Sequence, residues 1–558
     1  MSRVRNLYVY GICAISLLFL ATGVENLIRL LVQTASGSES TGWLWLNRGD
    51  LRQQISFFAA LALIGGPVWL GHWVLASRGL SAAERGSGVR RFYLYLMLAG
   101  ALIFFLPGAI NLLRLPVWAL LGAQIGQPYL SALGAPLGLL VVTVPIWLYH
   151  RRLALAEAAS AGDDGSLGTV RRLYFYAAGF GLASFLLINE SRLGTSVWEG
   201  LIRPAGTPVV EVGDWVRLAL PAYAIAALVF LATWWWHWSQ TERIAAEANP
   251  RGRAELASVL RRVYVYGLIL IGLIVVLVNA TTLLNDLFRA VLGSPNPTGT
   301  GRPLAIAVGQ PLVWGLVYGA FWLNLRGWLQ RDASRAPEAS EQAALRRLYA
   351  YLVAAVGLVV LAIGLILLLS TVLSLPTLTP EQQPAEWLRG RISSALTLVV
   401  VGAPVWLISW QGQQRRLLDP TLAPAERASL WRRIYLYLAL FVGVVAALVD
   451  AASVLYQLLL AAVGDHSTPS LLGAIATPLS VIVVASTFLV YHWRALRSDS
   501  SAAASTRAAT GGNAAVTVVI LRGQAEEVER AVGRLTAQAN GQLKLEVLRG
   551  ADVPDSLR

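Results

Sequence analysis

Six times the chain writes a short basic-aromatic phrase, and each time a long apolar run follows it. The phrases are "RNLYVY" (Arg5–Tyr10), "RRFYLY" (Arg90–Tyr95), "RRLYFY" (Arg171–Tyr176), "RRVYVY" (Arg261–Tyr266), "RRLYAY" (Arg346–Tyr351) and "RRIYLY" (Arg432–Tyr437). Their leading tyrosines, Tyr8, Tyr93, Tyr174, Tyr264, Tyr349 and Tyr435, are separated by 85, 81, 90, 85 and 86 residues. A near-constant interval of this kind marks a repeat architecture. Each copy closes on a second apolar run ending in aromatics, as in "GGPVWLGHW" (Gly65–Trp73), "TVPIWLYH" (Thr143–His150) and "GAPVWLISW" (Gly402–Trp410). Leu352 to Leu375 carries no charged residue at all. A bilayer-spanning helix needs about 20 mostly apolar residues, so the repeating unit reads as two spanning helices joined by a variable loop.

With 56% hydrophobic and only 14% charged residues, the chain has too little charge for a soluble domain, in which about 25% is usual. The expected fold is an all-α integral membrane protein of twelve transmembrane helices. The six two-helix repeats span 1–85, 86–166, 167–256, 257–341, 342–427 and 428–496. The linkers between repeats hold 23 arginines and the loops within repeats 11, which puts linkers and both termini in the cytoplasm of a bacterial inner membrane. An even number of helices per copy makes all six repeats parallel. On this topology the arginines meet anionic headgroups. The leading tyrosines, with Trp69, Trp147 and Trp406 of the exits, read as anchors at the membrane interface.

Fifteen residues beyond the leading tyrosines stand Gly23, Gly108, Asn189, Asn279, Gly364 and Asp450. That is about 22 Å along a helix, past the middle of the hydrocarbon. Together with Glu25 and Glu190, the polar members Asn189, Asn279 and Asp450 form a candidate intramembrane belt. Two readings of it stand side by side. Glycine and asparagine at such positions mark close helix contact, with the acids pairing Arg29, Arg192 and Arg289 at the far interface. Alternatively, the belt lines a path for an ion or small polar solute, with Asp450 its foremost residue, because an ionisable group at that depth costs at least about 2.5 kcal/mol unless it faces protein or water.

No zinc-protease, phosphate-loop or serine-elbow motif occurs, and the reading is of a non-enzyme without metal or cofactor. His72, His150, His237 and His492 share one position of the exits, where repetition accounts for them without haem. Net charge is +14, but its arginines lie beside membrane spans, so lipid and not nucleic acid is the expected partner. After the last exit, residues 497–515 read as a flexible tether. Residues 516–558 read as a small cytoplasmic β-α-β unit, with strands at Val516–Gly523 and Gln542–Leu548. Two strands are marginal alone, so the tail is expected to recruit a cytoplasmic protein or to self-associate.

The entry phrase Arg432–Tyr437 and the exits "LRQQISFFAALALIGGPVWLGHW" (Leu51–Trp73) and "LRGRISSALTLVVVGAPVWLISW" (Leu388–Trp410) resemble domain of unknown function 5671, an uncharacterised bacterial membrane family. The resemblance covers about Arg5 to Arg494 as tandem copies. It implies class and topology and carries no activity. The reading is therefore of a membrane scaffold or sensor, with a transporter or channel as the alternative.

Overall fold

In the computed structural model the residues described are 3–37, 50–78, 80, 82–163, 165–202, 215–335, 338–377, 385–463, 470–511 and 526–531. Twelve long helices, each able to span a bilayer by length and apolarity, follow one another. They are α1 (Arg3–Ala35), α2 (Leu51–Ser77), α3 (Gly88–Leu120), α4 (Gly134–Ala161), α5 (Gly165–Leu201) and α6 (Leu220–Ala245). The second half comprises α7 (Val259–Val291), α8 (Gly309–Arg335), α9 (Ser340–Ser374), α10 (Ala385–Arg416), α11 (Leu430–Ala462) and α12 (Leu471–Gly511). No strand occurs among the described residues. The chain is a multi-pass membrane protein.

Odd-numbered helices begin with the tyrosine phrases and each packs against the even-numbered helix after it. Small residues set how near the two backbones come. A Cβ added to Gly23 of α1 would stand 2.6 Å from Ala62 N, and one added to Gly65 of α2 would stand 2.6 Å from Leu20 N. The same reciprocal fit joins α9 to α10, where Gly357 would meet Trp406 N at 2.5 Å and Gly402 would meet Leu361 N at 2.5 Å. Lipid supplies no hydrophobic drive for helices to associate, so this close van der Waals approach is what holds a pair.

Neighbouring pairs join through a second set of contacts. The odd helices touch in sequence, α1 to α3, α3 to α5, and onward to α11. Each exit helix from α4 to α10 also leans on the odd helix of the preceding pair. The two hydrophobic clusters both gather where entry tyrosines meet exit tryptophans. One contains Tyr10, Cys13, Trp73, Tyr93, Tyr95 and Tyr174, the other Tyr176, Trp234, Trp238, Tyr264 and Leu268.

The end of the membrane unit departs from the expectation. Residues 497–511 continue α12 as a helix where a flexible tether was expected. Small polar composition suggested flexibility, but alanine is the strongest helix former. The serines also bond back along the helix, as Ser500 Oγ does to the Leu496 carbonyl at 3.0 Å. The chain divides after Trp493 into a large unit and a smaller one. Both strands expected in the tail, Val516–Gly523 and Gln542–Leu548, lie outside the described residues.

Candidate functional site

The distinctive chemistry sits at the joints between helix pairs, and tyrosine runs through all five. The second tyrosine of each phrase packs against the leading tyrosine of the next. The pairs are Tyr10–Tyr93, Tyr95–Tyr174, Tyr176–Tyr264, Tyr266–Tyr349 and Tyr351–Tyr435, with ring centroids 5.3, 5.4, 5.5, 5.3 and 5.5 Å apart. Interplanar angles stay between 32° and 36°. Two tyrosines spaced by one residue point about 200° apart on a helix. One therefore reaches back to the previous helix while the other reaches forward to the next.

Hydrogen bonds fix these rings. Trp234 Nε1 donates to the Tyr264 hydroxyl at 3.0 Å and Trp406 Nε1 to that of Tyr435 at 3.1 Å. Trp69, Trp147 and Trp322 occupy the equivalent place beside Tyr93, Tyr174 and Tyr349, with buried indole nitrogens that fall short of hydrogen-bond geometry. In turn the hydroxyls of Tyr93, Tyr174 and Tyr435 donate to Nε2 of His150, His237 and His492 at 3.4, 3.2 and 3.1 Å. Nδ1 of each histidine donates to a carbonyl four residues back, that of Ile146, Thr233 or Phe488. Both ring nitrogens are thus engaged. Leu325 and Ser409 hold the histidine position in the fourth and fifth pairs. His466 lies outside the described residues.

The leading arginines make two kinds of clasp, and the kinds alternate. Arg90, Arg261 and Arg432 lie over Trp73, Trp238 and Trp410 of the preceding exit helix, at 5.2, 5.1 and 5.4 Å from the ring centroid. Arg90 also pairs with Glu157 and Arg261 with Asp332, both at 2.7 Å, each acid lying on the exit helix of the arginine's own pair. Arg171 and Arg346 have no tryptophan beneath them among the described residues. Arg171 instead binds Asp163 and Glu255 at 2.6 Å each, and Arg346 binds Glu338 and Glu426 at 3.2 Å each. The following arginine shares the second acid, Arg172 with Glu255 at 3.0 Å and Arg347 with Glu426 at 2.9 Å. Burial alone would push the Glu426 carboxyl up. The hydrogen bond from Arg347 and the charges of Arg346 and Arg347 hold it below the ordinary carboxylate range instead.

This geometry bears on two expectations, the interface tyrosines and the headgroup-facing arginines. Tyr93, Tyr174, Tyr264 and Tyr435 are buried between helices, as is Trp406, and Tyr349, Trp69 and Trp147 are partly covered. Only Tyr8 of the leading tyrosines is exposed, and the others face neighbouring helices over much or all of their surface. Arg90, Arg91, Arg171, Arg261 and Arg432 are likewise buried and engaged with protein, not splayed toward lipid. A planar guanidinium with five donors matches a carboxylate fork, and the linkers supply the carboxylates. The signal was available in sequence. Glu84, Glu255 and Glu426 each stand nine residues before a leading tyrosine, and Asp163 and Glu338 stand eleven before the intervening ones.

The candidate belt does not converge. Asn189 Nδ2 donates to the Phe185 carbonyl of its own helix at 2.8 Å, and Asn279 Nδ2 to that of Val275 at 2.8 Å. Glu25 accepts from Asn26 Nδ2 at 2.5 Å and borders an apolar groove between α1, α3 and α4. Among the described residues no hydrogen bond or ion pair joins Glu25, Asn189, Glu190, Asn279 or Asp450 to another of the five. The glycines of the same column do make close helix contacts. Gly364 meets Leu398 and Val399, and Gly108 meets Leu139 and Leu140. A separate polar cavity of about 490 Å³ opens between α7 and α8, lined by Asn279, Thr282, Asp286, Arg302 and Gln310 among others.

No curated protein and no solved structure matches the chain. One family does match, described as a domain of unknown function, over residues 6–143, 201–316 and 347–487. The first region runs from α1 through α3 into the start of α4, and the third runs from within α9 through α10 and α11 into the first half of α12. More than half of the sequence is covered, and the protein belongs to the family of domain of unknown function 5671, carried here in three tandem regions.

Proposed function

We propose that the protein is a non-catalytic scaffold or sensor of a bacterial inner membrane. The observation that carries this reading is where its polar chemistry lies. Arginines, acids, tyrosines and histidines are engaged in joining helix pairs, while the belt residues deep in the helices stay apart. Six parallel pairs would then form a platform with linkers and both termini in the cytoplasm, in accord with the excess of arginine in the linkers. The tail at 516–558, folded as a β-α-β unit, would recruit a cytoplasmic partner. Native mass spectrometry of the chain released from its own membranes tests this. A stoichiometric second protein, lost when Val516–Arg558 is deleted, is the expected result. A chain that carries only a reproducible small ligand overturns it.

A second reading, transport of an ion or small polar solute, draws on the polar cavity between α7 and α8. Asp286 lines it and is buried. Solute flux into vesicles that Asp286→Asn abolishes, with the helical content unchanged, would favour this reading over the scaffold.

A further inference from the structure

The five tyrosine joints are all of one kind, and the first and last described pairs carry the two halves of a sixth. In every internal joint a second tyrosine meets the leading tyrosine of the following helix. Tyr437 of α11 holds the position of Tyr10, Tyr95, Tyr176, Tyr266 and Tyr351, yet it is 59% exposed and touches no tyrosine among the described residues. At the other end Tyr8 holds the position of Tyr93 and is 61% exposed. It already has its local support, since its ring meets His72 edge-on at 6.2 Å, much as Tyr93 meets His150 at 5.6 Å. Among the described residues no second tyrosine of another pair packs against it.

Other residues of the joint repeat the pattern. Trp493 follows His492 as Trp73 follows His72 and Trp238 follows His237. Trp73, Trp238 and Trp410 are buried beneath an arginine of the next helix, whereas Trp493 is 55% exposed. Packing comparable to that between successive odd helices does not join α11 to α1 among the described residues. An exposed tyrosine at headgroup depth is content with lipid, so exposure alone would argue nothing. The argument is that Tyr437 and Trp493 stand at one end and Tyr8 and His72 at the other, in the register of a joint already built five times in the same chain.

We propose that a second copy of this chain completes that joint, its Tyr8 packing against Tyr437. The surface on one copy differs from the surface on the other, so the contact is head to tail. Such an interface closes into a ring or continues as a row according to the rotation between copies.

The test uses the full chain in lipid nanodiscs cut from the native membrane. Native mass spectrometry is expected to find two or more copies together. Tyr437→Arg combined with Trp493→Ala removes two aromatic anchors, and loss of even one such anchor weakens association by about thirtyfold, leaving single chains. Two differently tagged chains, one with Tyr8→Cys and one with Tyr437→Cys, are then co-expressed and oxidised. Cys13, the one native cysteine, is buried and takes no part. A mixed disulfide between the tags, well above either like pair, supports the proposal. The internal pair Tyr351→Cys and Tyr435→Cys shows that a joint of this geometry can be bridged. Single chains from the wild type overturn the proposal. So does failure of the mixed pair when the internal pair links, or a bridge formed only within one chain carrying both Tyr8→Cys and Tyr437→Cys.

Discussion

Replacing Glu255 by glutamine gives the sharpest test of the joint chemistry. Its carboxylate is fully buried and accepts from Arg171 at 2.6 Å, Arg172 at 3.0 Å and the Tyr176 hydroxyl at 2.5 Å. Removing one member of a buried ion pair costs about 3–5 kcal/mol, because the remaining charge is left without a counter-ion. Two features place this site at the lower end. Arg171 keeps Asp163 at 2.6 Å, and the Arg172 side chain lies at the edge of the cluster, where water reaches it. The expected loss is about 3 kcal/mol, or about a 150-fold shift in the folding equilibrium. Reversible unfolding in mixed micelles of increasing denaturing detergent would measure it. A double-mutant cycle with Arg172→Gln should return a coupling of about 1 kcal/mol or more. A Glu255→Gln chain within about 0.5 kcal/mol of wild type would refute the claim that these ion pairs hold the joints.

Further outcomes follow from the same geometry. Gly357→Ala puts a methyl group 2.5 Å from the Trp406 backbone nitrogen and should cost about 3 kcal/mol, whereas Gly412→Ala meets nothing within 4 Å and should stabilise α10 by about 0.5–1 kcal/mol; the two unfolding curves moving together would contradict this. His237→Leu installs the residue that the fourth pair already carries as Leu325, so the protein should remain folded with a loss of about 1 kcal/mol for the missing Tyr174 hydrogen bond, and failure to accumulate in the membrane would count against it. The Glu426 carboxyl titrates below its unfolded value of about 4.3. Its contribution is therefore complete above that pH and lost as the pH falls through the folded value. Stability measured from pH about 6 down to about 3 should fall more steeply in wild type than in Glu426→Gln, and parallel curves would rule the pair out as a source of stability.

Much of the helix plan was legible because membrane spanning imposes length and apolarity, and twelve runs such as Leu352–Leu375 declare both. The tyrosine phrases were legible as a repeat but not as a joint. An amphipathic ring just before an apolar run has the same sequence signature whether it faces a headgroup or a neighbouring helix, and only the partner decides. Tyr93 and Tyr8 illustrate the point, with one phrase and opposite burial. The clasps were hidden for another reason. Counting arginines gave orientation, but their partners Glu157, Asp163, Glu255 and Asp332 are 8 to 84 residues away in sequence. The glycine column was half readable, since Gly23 and Gly364 do mark close approach while Asn189 and Asn279 bond within their own helices.

Alternation of the two clasps sets a rule for how such a chain can grow or shrink. An arginine that lies over tryptophan cannot follow another of its kind without stranding a linker glutamate, because Glu255 and Glu426 serve the entry before them and precede the entry after them. Inserting or deleting one helix pair would set two like clasps side by side, leaving a buried charge without its counter-ion. Inserting or deleting two pairs leaves every clasp matched. Viable length variants of this architecture should therefore differ by four helices at a time, as though the gene could be lengthened only in whole bars and never in half of one.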